Sequence, residues 1–430
     1  MATKKIRELR FPLSGVIRRQ GYWESSVADR TPGHPYPTPW TVNCRPEDPF
    51  EKRLRGGSRP TLSFGSGTVL ITPVVVTGNS VQVYNAATAA MVSVSPSAGS
   101  LPAAFTFGAL YRGRLLLAGT GNGVYCSRQG DMTDWDYGGH VSDSGRPTIV
   151  QLAEVGEIGP AATALIPYRD AHLLTASAGS LWSLHGDPAT GTFRNLSRDI
   201  GCVGAGAWSR MGDTIFFLSA EGLYSCGPEG GDLQPLSHEK TPDELRGSAA
   251  TSLLAYHHDE RGLYIFTPGG NYHWFYDLVH GGFWPMTTGI VPNQAAITEG
   301  GLVMAQNGVP IVTGGVESFT SHVLIGPLRL SDPDRMGLVS KFRGTVAAGS
   351  GDVTWSIVPG NSAEQAVQDA ILAIAGTSGL VAHTGTFSAG VSCSIYPRCR
   401  AGWIVLWLLA TSAWAYESMF IETIDAGSWR

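Results

Sequence analysis

The sequence predicts an all-β chain, and three observations predict it. Short apolar runs of strand length, separated by Gly, Asn, Asp or Pro, fill residues 62–315. Glycine supplies 55 of 430 residues and proline 26, while only 15% of the chain is charged, against roughly a quarter in ordinary soluble domains. A single stretch, Asn361–Ile374, stands out for apolar residues at helical spacing.

The apolar runs pair into hairpins. In DTIFFLSAEGLYSCGP a strand of Ile215–Leu218 turns at Ala220-Glu221-Gly222 and returns as Leu223–Cys226. RGRLLLAGTGNGVYCSR turns through Gly119–Gly123, DAHLLTASAGSLWSLHG through Ser177–Ser180, and RGLYIFTPGGNYHWFYD at Pro268-Gly269-Gly270. With a fifth near 307, the hairpins centre on 121, 178, 221 and 269, a period of roughly 40–55 residues typical of propeller blades. One small sheet cannot cover both its faces, so radial packing against neighbours must supply the second layer. That logic predicts a β-propeller over residues 61–315. A sandwich of two sheets is the competing arrangement, and such a length of unbroken strand–turn repetition exceeds an ordinary single sandwich. Trp135, Trp182 and Trp284 close several of the repeats. A tryptophan there buries a large face and keeps its N–H near solvent or a carbonyl.

Residues 1–60 read as an extended basic arm, part of a docking platform. They hold twelve Lys/Arg and six Asp/Glu, leaving 18 basic and 29 acidic residues, or -11, on the remainder. Pro32, Pro35, Pro37 and Pro39 remove donors and fix φ, which excludes helix and central strand there. A basic arm on an acidic body often marks a docking segment, with a merely solvated extended terminus as the alternative, and the net charge of -5 argues against a dedicated nucleic-acid binder.

Residues 316–430 read as a small β-sandwich-like domain. Alternation in DVTWSIV marks a strand, followed by the helix Asn361–Ile374. Its apolar face is Ala363, Val367, Ile371 and Ile374, its N-cap Asn361 or Ser362, and Glu364 lies in the first turn. Strands follow around Phe387–Tyr396, Trp403–Ala410 and Ser418–Ile424. The apolar run Trp403–Tyr416, 14 residues long, is too short to span a bilayer and reads as buried strand. No apolar core of a signal peptide follows the charged start.

The cysteines, Cys44, Cys126, Cys202, Cys226, Cys393 and Cys399, are scattered with no C-x-x-C pair. Free and mostly buried thiols are expected, in keeping with assembly in a reducing cytoplasm. No G-x-S-x-G, H-E-x-x-H or P-loop is present.

Three constellations carry possible chemistry. Asp131, Asp134 and Asp136, with His140, are a loop that could bind Ca²⁺ and that loosely resembles the Asp-box turn of sialidase-type propellers. Aspartates capping their own turn are the favoured reading. His257-His258-Asp259-Glu260 cannot chelate one metal on a strand, where neighbours face opposite ways, and reads as a solvated loop. Asn271-Tyr272-His273-Trp274-Phe275-Tyr276-Asp277 offers rings that stack sugars or bases, but its alternation fits a strand buried on both faces. The sequence therefore assigns no catalytic residue, no cofactor and no metal.

The stretch Asn195–Cys226, NLSRDIGCVGAGAWSRMGDTIFFLSAEGLYSC, resembles a recurrent element of phage tail proteins. Gly201, Gly204 and Gly206 would allow the chain reversal, and Phe216, Phe217 and Leu223 would fill the sheet. Arg53–Pro60, RLRGGSRP, is similar to an arm near the start of the same group, with one extra residue. So are GRLLLAG…CSRQGDMTDWDYG, Arg398-Cys-Arg400-Ala-Gly-Trp403, Trp414…Glu417 and the terminal Gly427-Ser-Trp-Arg430. The group is the tail nozzle family of short-tailed bacteriophages, also described as tail tubular B-like or packaged-DNA stabilisation proteins. This chain is short for a nozzle, and a neck or baseplate protein of a longer tail is the nearest variant.

The resemblance implies a non-enzymatic structural virion protein, assembled in the host cytoplasm into the virion tail. It implies a homohexameric ring docked below the portal on the adaptor, or head-to-tail connector, and touching tail fibre, spike or needle proteins. Double-stranded DNA would be retained and then conducted through the channel without sequence preference. A propeller-type glycan-binding protein or glycoside hydrolase, and a receptor-binding tail protein with Tyr272–Tyr276 exposed, are the alternatives.

Overall fold

The computed structural model describes residues 90–428 apart from 140–141, 155–156, 239, 242, 271, 289, 299–300, 308, 319, 333–334 and 391. Before residue 90 it describes 4–9, 41–42, 44–46, 54–56, 58–64, 74–77, 79–85 and 88. The proline run 32–39 lies outside them.

The middle of the chain is a succession of six small antiparallel sheets. Sheet 1 has three strands, Val74–Thr77, Ser80–Asn85 and Ala90–Ser93. Sheet 2 is Phe107–Tyr111, Arg114–Ala118, Gly123–Cys126 and Thr148–Gln151, and sheet 3 is Ala162–Tyr168, His172–Ser177, Leu181–His185 and Thr192–Ser197. Sheet 4 is Trp208–Met211, Thr214–Ser219, Gly222–Cys226 and Gln234–Pro235. Sheet 5 is Leu253–His257, Gly262–Phe266, His273–Asp277 and Gly282–Met286. Sheet 6 joins Gln294–Thr298, Gly301–Gln306 and Val309–Ser318 to an N-terminal strand, Ser58–Phe64. Each of the five glycine-centred turns read from the sequence connects the two middle strands of one of sheets 2 to 6. Ser58–Phe64 and Val309–Ser318 cross the boundaries at residues 60 and 315, because the pairing between them makes one sheet.

Packing explains why these strands read as unbroken apolar runs. In Arg114–Ala118, Leu115 and Leu117 join a core with Val81 of sheet 1. The alternate residues Leu116 and Ala118 join a different core with Leu173 and Trp182 of sheet 3. Sheet 3 turns Leu174 and Ala176 toward Phe216, Phe217 and Leu223 of sheet 4, in a core that continues to Leu254 and Ile265 of sheet 5. Leu253 and Phe266 then meet Met304 and Ile311 of sheet 6. A strand with cores on both faces has no solvent side, so its period-two signal is erased. The arrangement is propeller-like: short meandering sheets, stacked face to face in chain order.

The C-terminal region is two packed sheets. One has seven strands: Arg335–Val346, Ser392–Ile395, Cys399–Ala401, the long Trp414–Ser428, and from the N-terminus Lys4–Leu9, Cys44–Pro46 and Leu54–Gly56. The other has five: Ser321–Arg329, Val353–Gly360, His383–Phe387, Trp403–Ala410 and, again from the N-terminus, Thr41–Val42. Val323, Trp355, Ile357, Leu406 and Leu408 of the second sheet interleave with Val339, Phe342, Tyr416, Met419 and Ile421 of the first. Phe342 meets Trp355 edge-on at 5.5 Å, a favoured aromatic geometry. The apolar run at 403–416 is thus sandwich strand, and no helix among the described residues is long and apolar enough to cross a membrane.

Helix α1, Ala363–Ile374, starts where the Ser362 hydroxyl accepts the Gln365 N–H at 3.1 Å, while Gln365 reaches back to the Asn361 N–H. The pair is a variant of the capping box, with the return bond made to the residue before the N-cap. Its buried face is Ala363, Ala366, Val367, Ala370 and Ala373, packed on Leu324, Val358 and Val405. Ile371 was expected on the apolar face and is 38% exposed. Gly360 explains the shift: a Cβ there would sit 2.7 Å from that of Ala366, so the helix lies close enough to the sheet to demand alanines.

The sandwich and sheet 5 share one core. Phe275 and Trp284, cross-strand partners in sheet 5, belong to the same buried cluster as the sandwich interior, with Tyr264 and Met286 against it. Thr41–Val42 and Cys44–Pro46 run beside Gly282–Met286.

Candidate functional site

The aspartate loop is built as a turn. The Asp131 carboxylate accepts the Thr133 N–H at 2.8 Å and its hydroxyl at 2.6 Å. These bonds favour the charged form and hold the Asp131 pKa below its usual value. Asp134 accepts the Asp136 N–H at 3.0 Å and faces Arg128 at 3.5 Å, and Asp136 accepts from Gly138 and Gly139. The three carboxylates are each spent on local donors, and His140 lies outside the described residues. Among the described residues no group of three His, Cys, Asp or Glu is placed to hold a metal ion. Beneath the turn Trp135 is buried, and its indole N–H reaches the Met132 carbonyl at 3.0 Å.

His257 ends a strand of sheet 5 and its Nδ1 accepts the Glu260 N–H at 3.3 Å, while Glu260 accepts the Tyr264 hydroxyl. The group is a turn between strands. The aromatic run is interior: His273, Trp274, Phe275, Tyr276 and Asp277 are all buried, and Asn271 lies outside the described residues. Trp274 and Tyr276 serve the core toward sheet 4, and Phe275 serves the sandwich. An exposed aromatic platform over Tyr272–Tyr276 is therefore not what this strand presents; only Tyr272 is part-exposed.

Burial pushes the Cys126, Cys202 and Cys226 thiols up to about 12, which removes thiolate at neutral pH. Cys126, Cys202, Cys226, Cys393 and Cys399 are free. The indoles at the repeat ends differ: Trp182 donates to the Ser180 hydroxyl at 2.9 Å, but the Trp284 N–H has no partner. The expected carbonyl or solvent contact is missing there because the sandwich covers that face.

Two histidines titrate against the fold. Burial lowers the pKa of His273, whose Nδ1 accepts the Thr267 N–H at 3.3 Å, and of His322, whose Nδ1 accepts the Trp407 indole N–H at 3.2 Å. The unfolded chain then binds more protons than the folded one below about pH 6.5. Stability is expected to be full above that pH and to decline as pH falls through it, read as a lower urea midpoint at pH 5.5 than at 7.5. A His273→Gln, His322→Gln chain should show a flatter profile.

Sequence reasoning missed one ionic site. Arg114 is fully buried at the joint of sheets 2 and 3, and its guanidinium forks onto Asp187 at 3.0 and 2.9 Å. Its other N–H groups reach the carbonyls of Ser127 and Arg146, both at 2.7 Å, and of Ser144 at 3.2 Å. The Tyr111 hydroxyl adds a 2.8 Å bond to the Gly186 carbonyl across the same joint. A charged residue opening the apolar run RLLLA was the available signal.

The C-terminal sheets set cations against rings and carboxylates. Arg343 lies over Phe420 at 5.8 Å and Arg329 over Trp403 at 5.4 Å, Arg335 pairs with Asp425, and Lys341 stands opposite Glu422 in the ladder. A cleft of about 410 Å³ is lined by Arg329, Arg335, Trp403 and the start of helix α1. A second, of about 390 Å³, lies between Glu244–Ala249 and the Pro268–Gly270 turn.

No family model matches the chain, and no curated protein matches it. Among solved structures it is similar to a chain of a mitotic checkpoint complex, with TM-score 0.37 and 8% identity over 66% of this chain and 96% of that one. It is likewise similar to the dihydro-heme d1 dehydrogenase NirN, with TM-score 0.36 and 10% identity over 62% of each chain. The N-terminal domain of Nup159 gives TM-score 0.36 and 12% identity over 66% of this chain and 82% of that one. Likenesses this faint carry no argument about function, and the description of the fold rests on the sheet pairing itself.

Proposed function

We propose that this chain is a structural, non-enzymatic subunit of a bacteriophage tail, the nozzle ring that retains packaged DNA and conducts it at ejection. The observation that carries the reading is the placement of Asn195–Cys226, where the resemblance is strongest. This segment crosses from the outer strand of sheet 3 to the central hairpin of sheet 4. A Cβ at Gly201 would lie 2.0 Å from the Ser177 carbonyl oxygen, and one at Gly204 1.9 Å from that of Ala250. Phe216, Phe217 and Leu223 are buried between sheets. These glycines and apolar residues of the motif serve chain crossing and packing, which suits a family held together by architecture.

Chain length supports closure of the six sheets into a propeller. Phe64 ends the outer strand of sheet 6 and Val74 opens sheet 1, and ten steps of chain span at most about 36 Å. Six sheets stacked in an open row at about 10 Å per interface would separate their ends by about 50 Å. A ring brings them within reach. The acidic body, with 29 acidic against 18 basic residues outside the first sixty, suits a wall along which DNA slides without sticking. The N-terminal strands woven into the C-terminal sheets form the platform that would seat on an adaptor ring.

Native mass spectrometry with negative-stain imaging tests this. The expected result is a ring of six copies that binds duplex DNA at physiological salt no more tightly than the roughly 10⁻⁴ M of weak non-specific binders. A protein that stays monomeric when mixed with its adaptor ring, or that turns over a glycan, overturns the proposal.

A further inference from the structure

We infer that the sheet edge along Met419–Ile424 is a strand-exchange site, filled in the assembled protein by Lys4–Leu9 of a second copy of this chain. The inference rests on the oligomeric reading above and specifies how neighbouring subunits are tied.

Within one chain, Lys4–Leu9 pairs antiparallel with Met419–Ile424, from Lys4 opposite Ile424 to Leu9 opposite Met419. The other side of that long strand is taken by Arg335–Val346. Among the described residues Lys4–Leu9 has no second strand partner, so it is an edge strand held through a single ladder. Such a ladder is made of backbone groups, and it forms equally well with the same six residues of another copy. The ends of the two segments are complementary in charge. KKIREL carries Lys4, Lys5 and Arg7 against Glu8, while Met419–Asp425 carries Glu422 and Asp425 with no Lys or Arg.

The tether decides whose strand fills the edge. Residues 10–40, thirty-one in all, separate Leu9 from the next described strand at Thr41. Fully extended, that length of chain reaches about 100 Å, far enough to cross onto a neighbour. Exchange of an identical element costs no contacts, because each ladder lost in one chain is regained between chains. In a closed ring each copy gives its strand to the next, and every Met419–Ile424 edge is filled.

Cross-linking tests it on the whole chain. Ile6 and Glu422 are direct ladder partners, and antiparallel partners stand about 4.5–5.5 Å apart at Cα, within disulfide range. Chains carrying Ile6→Cys and chains carrying Glu422→Cys, with different tags, are co-expressed and gently oxidised. The expected product is a disulfide-linked heterodimer joined at positions 6 and 422, identified by peptide mapping and lost on reduction. The double variant in one chain reports whether the edge accepts the strand at all. A 6–422 link confined to single chains, in a particle whose native mass shows several copies, overturns exchange and leaves the ring reading intact. Monomers alone overturn both, and absence of any 6–422 link in either preparation overturns the register on which exchange depends.

Discussion

An Arg114→Ala chain is expected to lose about 3–5 kcal/mol of unfolding free energy, the cost of breaking a buried ion pair from one side. The guanidinium has all its N–H directions engaged, by both Asp187 oxygens and by three carbonyls. Truncation leaves Asp187, only 12% exposed in its side chain, as an uncompensated carboxylate and strips the carbonyls of their donors. Arg114→Lys should recover only part of the loss, since an ammonium cannot fork across a carboxylate and reach three carbonyls together. Urea midpoints of the three proteins at one pH measure this. A loss under about 1 kcal/mol for the alanine variant would mean that the joint of sheets 2 and 3 is held by its apolar core alone, as surface pairs usually leave it.

Trp284→Ala is expected to cost a similar 3–5 kcal/mol, the range for deleting a large buried aromatic, and to change the shape of unfolding as well. Trp284 is 0% exposed and belongs, with Phe275, to the core of the sandwich as much as to sheet 5. Its removal opens a cavity where the two bodies meet. Calorimetry should then resolve separate transitions for the sandwich and the stacked sheets where the parent protein melts them together. Trp284→Phe keeps a ring in place and removes the unpartnered indole N–H, so it should cost clearly less. A single unsplit transition in the alanine variant would show that the bodies are coupled elsewhere, through the N-terminal strands that run between them.

The strands of the middle region were legible because glycine-centred turns are local chemistry. Gly222 has φ of +127° and Gly269 +82°, conformations few other residues accept, and each marks its hairpin within a few residues. The order of the sheets followed from the same punctuation. What escaped was decided by residues far apart in sequence. Nothing in KKIREL names Met419–Ile424 as its partner, and nothing around residues 58–64 names Val309–Ser318. The Arg114–Asp187 pair spans 73 positions and has no motif. Ile371 was misplaced because helical periodicity weighs bulk, while the closeness of Gly360 selects alanine. The aspartate loop was readable as a turn, since each carboxylate needed only donors two or three residues on.

The sandwich draws strands from both extremes of the chain, and this sets the order of events during synthesis. Lys4–Leu9 leaves the ribosome about 415 residues ahead of its partner Met419–Ile424. At about 5–20 residues per second the early strand waits roughly 20–80 s, long after the central sheets have had time to condense. The C-terminal sheets therefore complete only after Met419–Ile424 has been made, and a message truncated ahead of it yields central sheets with no intact ladder for Lys4–Leu9 to join.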